Sequence, residues 1–328
     1  MVNVQNDTWL VEQGIGEDRA ILMQGGDIAA ARLDWPGPLS AGLIDDARLI
    51  SRQAGSKRGT VRFESGEEAL VSGLTRQASE GAPICVVVTR AAIAEKGRFK
   101  RAQCRVVADD PRPAPTLAER LSAEGRDVRV VHRFPDNEWN LLFAQVWDGT
   151  VEFSGGSLTI SPTPAMTLID VDGTAAPTQL ALSAIPAIAD AIRRFALAGS
   201  IGIDFPTLEA KADRQAVDEA LSAALADWPH QRTAMNGFGF IQLVAKLERP
   251  SLLHRIGNNR ASAAARLLMR QAEGVTDPGV LLLTAHPAVR AAVLPDWEEE
   301  LARRMGRSLR WEADPALALH AGFAQAVV

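Results

Sequence analysis

The chain has 328 residues and a formal charge of −5, long enough for two or three compact units with cores of their own. That charge argues against a protein that coats nucleic acid non-specifically, although a local basic groove stays compatible with it. Cys85 and Cys104 form no CxxC pair, the five histidines lack ligand spacing, and no signal peptide or membrane-length apolar run is present. A disulfide framework, a cysteine-rich zinc site and a membrane span are therefore not expected, and the cytoplasm is the expected compartment.

Residues 4–33 read as two strands about Gly25-Gly26, with residues 12–19 (EQGIGEDR) in a loop between apolar stretches. Trp35-Pro36-Gly37-Pro38 then breaks the chain. From residue 41 to about 107, the short runs GLIDDARLISRQ, GTVRFESG, EEALVSGL and APICVVVTRAA predict a small barrel. Within it Arg90, Lys96, Arg98, Lys100 and Arg101 surround Phe99, and Arg52, Lys57, Arg58 and Arg62 precede Phe63. Interleaved cations and rings suit a single nucleic-acid strand, because cations meet phosphates and rings stack on bases. The plainer alternative is a solvated basic loop beside a core phenylalanine.

A polar, proline-rich connector (DDPRPAP) leads to a short helix, TLAERLSAEG, and a strand, DVRVVHRF. Two brief aliphatic runs follow, one ending at Asp170 and the other at Asp204. Between them QLALSAIPAIADAIRRFALAG is an amphipathic helix, with Arg193 and Arg194 near its end and Gly199 closing it. Pro206 is expected to start a second helix with a core stripe of Leu208, Ala212, Val217, Leu221 and Leu225. Lys211 and Arg214 fall on its exposed face. RTAMNGFGFIQLVAKLER reads as an irregular segment and then a strand or helix start. The last third shows helix ASAAARLLMRQAE, strand VLLLTAH, helix starts at HPAVRAAVL and PDWEEELARRMG, and strand SLRWEAD.

A strand that ends in aspartate presents a carboxylate at the sheet edge, where ligands of α/β proteins tend to sit. Asp172 points the same way as Asp170 if the first strand continues that far. Carboxylates gathered there repel one another, and a hard cation such as Mg²⁺ relieves the repulsion and readies a water for attack on phosphate. The alternative is that each aspartate caps a helix or starts a turn.

The string SGGSLTISPTPAMTLIDVDG resembles the segment carrying the first catalytic aspartate of the ribonuclease E/G family: a Gly-Gly hairpin, a strand, P-T-x-A and an apolar run into I-D-V-N. GSIGIDFPTL is similar to the family's second acidic segment, and Phe238-Gly239 with Arg249-Pro250-Ser251-Leu252 resembles its R-F-G-L-L-E…R-P-S-L stretch. The resemblance implies that Asp170 and Asp204 ligate one Mg²⁺, with Mn²⁺ as a substitute, and that Asp172 stands where the family usually has Asn. It further implies an OB-fold RNA-binding region in the first third. There Arg90 and Lys96 match best, and Phe63 and Arg98 are further candidates. Of the family's arginine-rich stretch only Lys246 and Arg249 remain, with Gly237, Ala245 and Leu247 at positions where basic residues are common. The zinc-link cysteines are missing, so no structural zinc is expected and a homodimer would need another interface.

Asp170-Val171-Asp172-Gly173-Thr174 also spells the DxDGT nucleophile loop of haloacid-dehalogenase-type phosphatases, in which the first aspartate attacks phosphate. That motif normally opens a Rossmann-like domain, and here it lies mid-chain. The expected fold class is therefore a multidomain α+β/α/β chain. It comprises N-terminal strands with an OB-like barrel (1–108), a mixed α/β metal-dependent nuclease core (109–252) and a small C-terminal α/β domain (253–328). The expected function is Mg²⁺-dependent endoribonuclease action on single-stranded RNA, with catalytic Asp170, Asp204 and Asp172. An RNA-binding relative without turnover is the main alternative.

Overall fold

The computed structural model describes residues 8–37, 39–53, 55–95, 98–135 and 137–327, with the side chains of 94–99 outside that description. β1 (Trp9–Gly14), β2 (Glu17–Gln24) and β3 (Asp27–Asp34) form an antiparallel meander. The expected loop at residues 12–19 is thus a tight hairpin, turning at Ile15-Gly16 inside a three-stranded run. Its charged residues look solvent-bound in the sequence, yet Glu12, Glu17 and Arg19 are buried. They are neutralised among themselves and by Arg270, which arrives from the far end of the chain.

β4 (Ile44–Arg52), β5 (Arg58–Phe63), β6 (Glu68–Ser72), β7 (Pro83–Arg90) and β10 (Ala102–Val106) close into a five-stranded barrel in the order β10-β6-β5-β4-β7. A small hairpin of β8 (Ile93–Glu95) and β9 (Arg98–Lys100) lies between β7 and β10 in the chain. Alternate residues fill the interior, among them Leu49, Val61, Val71, Val86 and Val88. Cys104 is inside too, and burial pushes its thiol up to about 12.

Phe63 corrects an expectation. Rather than standing ready to stack on bases, it is 4 % exposed and packed in the barrel core. Position parity explains this: Val61 and Phe63 point inward, while Arg62 between them points out to Glu68. Phe63→Leu should therefore lower the urea midpoint, by roughly 1 kcal/mol of stability. It should leave the affinity for a single-stranded oligonucleotide unchanged, whereas a stacking residue would show the reverse.

Beyond the barrel, α1 (Leu117–Ala123) opens with a capping box between Thr116 and Glu119 and packs Leu117 and Leu121 on Trp9 and Val11. β11 (Val128–Val131) then pairs parallel with β1. α2 (Glu138–Asp148), which the sequence reading passed over, buries Trp139, Leu142, Phe143, Val146 and Trp147. β12 (Thr150–Phe153), β13 (Gly156–Pro162) and β14 (Thr167–Gly173) make an antiparallel run. α3 (Pro177–Arg194) crosses over to β15 (Gly199–Asp204), parallel to β14. α3 ends earlier than expected, at Arg194, and is closed by left-handed Ala196 (φ 52°), while Gly199, also at positive φ (81°), opens β15. Leu197 N–H donates to Ile192 O (2.9 Å) and Ala196 N–H to Arg193 O (3.2 Å), a Schellman closure.

α4 (Lys211–Ala224) starts five residues later than Pro206, and Arg214 donates back to the Glu209 carbonyl (2.8 Å) ahead of the helix. Val217, Leu221 and Leu225 are buried as expected, while Ala212 is exposed. β16 (Gln231–Arg232) and β17 (Phe240–Ala245) complete a six-stranded sheet in the order β12-β13-β14-β15-β17-β16. α5 (Leu252–Asn258), also not foreseen, and α6 (Arg260–Ala272) lead to β18 (Val280–Ala285). α7 (Pro287–Ala291), α8 (Pro295–Met305), β19 (Leu309–Ala313) and β20 (Phe323–Val327) follow, giving a three-stranded sheet ordered β19-β18-β20. One hydrophobic core runs from the inner face of the N-terminal meander through the six-stranded sheet to Leu281 and Leu283, while the barrel keeps a core of its own. Among the described residues no helix is long and apolar enough to cross a membrane.

Candidate active site

The site grows from the two-residue period of β14 and β15. Ile169 and Val171 are buried, so Asp170 and Asp172 project to the opposite, exposed face. Ile201 and Ile203 are likewise buried and Asp204 exposed. The parallel register pairs Asp170 directly with Asp204, so the two carboxylates stand side by side on one face. Thr159 flanks Asp170 on β13, and Phe240 flanks Asp204 on β17. α3 packs its apolar stripe against the buried face and leaves the acidic face open.

β14 does not stop at Asp170 as expected. It continues to Gly173 because Ser157 of β13 pairs with Asp172, which brings the third carboxylate onto the same face. Burial, then the neighbouring charges of Asp172 and Asp204, push the Asp170 carboxyl above its ordinary range; the Val171 N–H opposes them. The carboxylates are thus close enough to repel.

Among the described residues no group of three His, Cys, Asp or Glu forms a cage that could hold a metal ion by itself. The donor set nonetheless fits Mg²⁺, which keeps several waters and is usually held by one or two carboxylates with phosphate oxygens completing the shell. Asp170 and Asp204 offer two such oxygen donors, and Asp172 adds charge beside them.

The basic candidates gather elsewhere. Arg90, Lys246 and Arg249 line a cleft of about 970 Å³ beside the barrel, together with Arg101, Arg120 and Arg255. Arg90 donates to the Arg101 carbonyl (3.1 Å), Lys246 pairs with Glu248 (2.5 Å), and Arg249 pairs with Glu124 (3.1 Å). Arg120 (2.6 Å) and Arg255 (2.9 Å) share Asp34. Among the described residues Trp35 Nε1, Arg249 Nη1 and Arg255 Nε are buried donors with no hydrogen-bond partner, so the cleft wall has capacity for an acceptor. Lys246 follows β17, whose first residue faces Asp204, so the cleft begins about 20 Å along the sheet from the acidic pair.

Lys96 lies outside the described residues, and Arg98 opens β9 with its side chain outside the description. Arg193 is engaged with Asp227 (2.5 Å) and Arg194 with Gln145 (2.8 Å), which ties both into the fold. Of the three positions where basic residues were missed, Ala245 faces the core, where a cation would be costly. Sequence reading overlooked Arg120 and Arg255, whose only local signal was a helical context, and Phe240, whose exposed-face parity follows from Ile241 and Leu243 being buried.

Residues 132–246 match the model of the Ribonuclease E/G family. Over that span the chain is similar to the ribonuclease E/G family. The matched span runs from the end of β11 to Lys246 and contains Asp170, Asp172, Asp204 and Phe238. The barrel and the C-terminal sheet lie outside the matched ribonuclease E/G span. No curated protein matches the chain. Within the matched span, Asp170 and Asp172 both sit inside a hydrogen-bonded strand, with Asp172 paired to Ser157, and not in a loop after it as a phosphatase nucleophile motif requires.

Proposed function

We propose that this chain is a metal-dependent endoribonuclease acting on single-stranded RNA. The observation that carries the reading is the side-by-side placement of Asp170 and Asp204 on an open sheet face, within the span similar to the ribonuclease E/G family. In this reading both carboxylates hold Mg²⁺, and the charge of Asp172 beside Asp170 strengthens cation binding while repelling phosphate. The chemistry Mg²⁺ supplies there is neutralisation of the scissile phosphate and activation of a water for its attack. Hydrolysis then adds that water across the P–O bond and leaves one new phosphate end and one new hydroxyl end.

The barrel supports the RNA side of the reading. Its strands, taken in chain order, run 1-2-3-5-4 and close back on 1, the order of an OB-fold, a scaffold that binds single strands. Lys246, Arg249, Arg90 and Arg101 in the cleft beside it would neutralise backbone phosphates as a strand passes from barrel to acidic face. On this basis the chain divides into an N-terminal RNA-binding region, a nuclease core and a C-terminal domain, at about residues 108 and 252.

The test is cleavage of an end-labelled AU-rich oligonucleotide with Mg²⁺, with Mn²⁺ and with EDTA. Internal cuts that need the metal and vanish in EDTA are expected. Tight binding without cuts under any metal would instead make the chain an RNA-binding relative. Release of phosphate from a small ester would favour the phosphatase chemistry.

A further inference from the structure

The turn between β16 and β17 presents Phe238 with 81 % of its surface exposed. Single exposed apolar residues are common, but the backbone of this one is held unusually firmly. Asn236 Oδ1 accepts from the N–H of both Phe238 (2.9 Å) and Phe240 (3.1 Å), and the Gly239 N–H donates to the Asn236 carbonyl (3.2 Å). Gly239 sits at φ 88°, with its Cα so close to the next segment that a Cβ would lie 2.5 Å from the Phe205 carbonyl. Phe205, the residue after Asp204, donates its N–H to the Gly239 carbonyl (3.2 Å). The turn is therefore clamped to the chain directly behind the acidic pair.

The surface beside it is apolar as well. Phe240, the register partner of Asp204, lays its ring over Gly202, where a Cβ would meet Phe240 Cζ at 2.5 Å and Met166 Sδ at 2.9 Å. Phe238 lies two residues before Phe240, in the turn that leads into β17. One presented ring is far too small for a protein interface, which needs on the order of 800 Å² from each partner. It matches a single nucleobase, whose π-face stacks on an aromatic side chain without regard to sequence.

We propose that Phe238 is the stacking platform for a nucleobase flanking the phosphate that the Asp170–Asp204 pair receives. This deepens the ribonuclease reading and rests on it for the position of that phosphate. Phe238 acts as a positioning residue that fixes the strand next to the bond to be cut, with Asn236 and Gly239 holding the ring in place.

The test compares wild type, Phe238→Ala and Phe238→Trp on two readouts. One is the Kd of an oligonucleotide carrying 2-aminopurine, measured in Ca²⁺. The other is kcat/KM for cleavage of substrates made abasic on either side of the cut in turn. Phe238→Ala should weaken binding and lower kcat/KM by roughly 5- to 100-fold, and Phe238→Trp should restore both. One abasic position should impair wild type by a similar factor and the alanine variant hardly at all. Unfolding midpoints should stay equal, because the ring is exposed. Alanine-variant values within twofold of wild type on both readouts would overturn the platform. If no protein cleaves, the nuclease reading fails; the Kd readout still decides the platform, with equal affinity of wild type and alanine variant refuting it.

Discussion

Asp204→Asn and, separately, Asp170→Asn should each reduce Mg²⁺-dependent cleavage of single-stranded RNA by roughly 10³-fold or more. The factor corresponds to about 4 kcal/mol of transition-state stabilisation, the scale of losing one of two anionic donors at a phosphate-binding cation. The substitution is nearly isosteric and both side chains are exposed, so the fold should be retained. Melting should even shift slightly upward. Burial and like charges raise the Asp170 pKa, so above that raised value the crowded carboxylates work against the folded state, and removing the Asp204 charge relieves part of that. Steady-state rates with circular dichroism melts on the same preparations check both halves. A variant that cleaves within tenfold of wild type would remove its aspartate from the site. Asp172→Asn should behave differently, weakening Mg²⁺ binding while easing phosphate approach, so that rate and metal affinity separate.

The second large effect concerns stability. Glu12 is 1 % exposed and accepts from Arg19 (2.9 Å), from Arg270 and from the Phe134 N–H (3.3 Å). The Arg19 guanidinium is also buried, 4.8 Å above the Trp139 ring, and burial, then the charge of Arg270, holds its pKa down to about 10. Glu12→Ala would leave Glu17, at 3.7 Å from each, as the one carboxylate paired with the two guanidiniums among the described residues. Breaking a buried ion pair on one side costs about 3–5 kcal/mol, because the remaining charge is neither solvated nor paired. Urea denaturation should show that loss as a lower midpoint with an unchanged slope. Glu12→Gln should recover part of it by keeping hydrogen-bond acceptance without the charge. A loss below about 1 kcal/mol for the alanine variant would mean that water reaches the network in solution. Because Glu12 lies on β1 and Arg270 on α6, the variant also tests whether the N-terminal meander and the C-terminal helices unfold together.

Much of the candidate site was legible in the sequence because its signal is local. The brief aliphatic runs ending at Asp170 and Asp204 predict two strands that carry these aspartates, and both strands form, the first continuing to Gly173. The string of short runs from residue 41 likewise predicts the barrel that closes. The helix ends were less legible. Pro206 is a good helix starter, yet the chain stays non-helical until Lys211, with Phe205 tied to Gly239. Ala196 closes α3 in the left-handed conformation, and Gly199, expected to close it, is left-handed too but at the start of β15.

By itself, then, the sequence determined which residues could serve: the periodicity of two settles which side chains share a face, and that rule needs no partner strand. Only the tertiary structure decided which of them meet. The crossover through α3 sets the register that seats Asp170 beside Asp204, and barrel closure turns Phe63 inward among Leu49, Val71 and Val88. Glu12 and Arg270, 258 positions apart, become one buried network, so charges that read as a loop belong to the core. Each of these contacts joins segments far apart in the chain, and their energies depend on burial and pairing that exist only once the sheets have assembled.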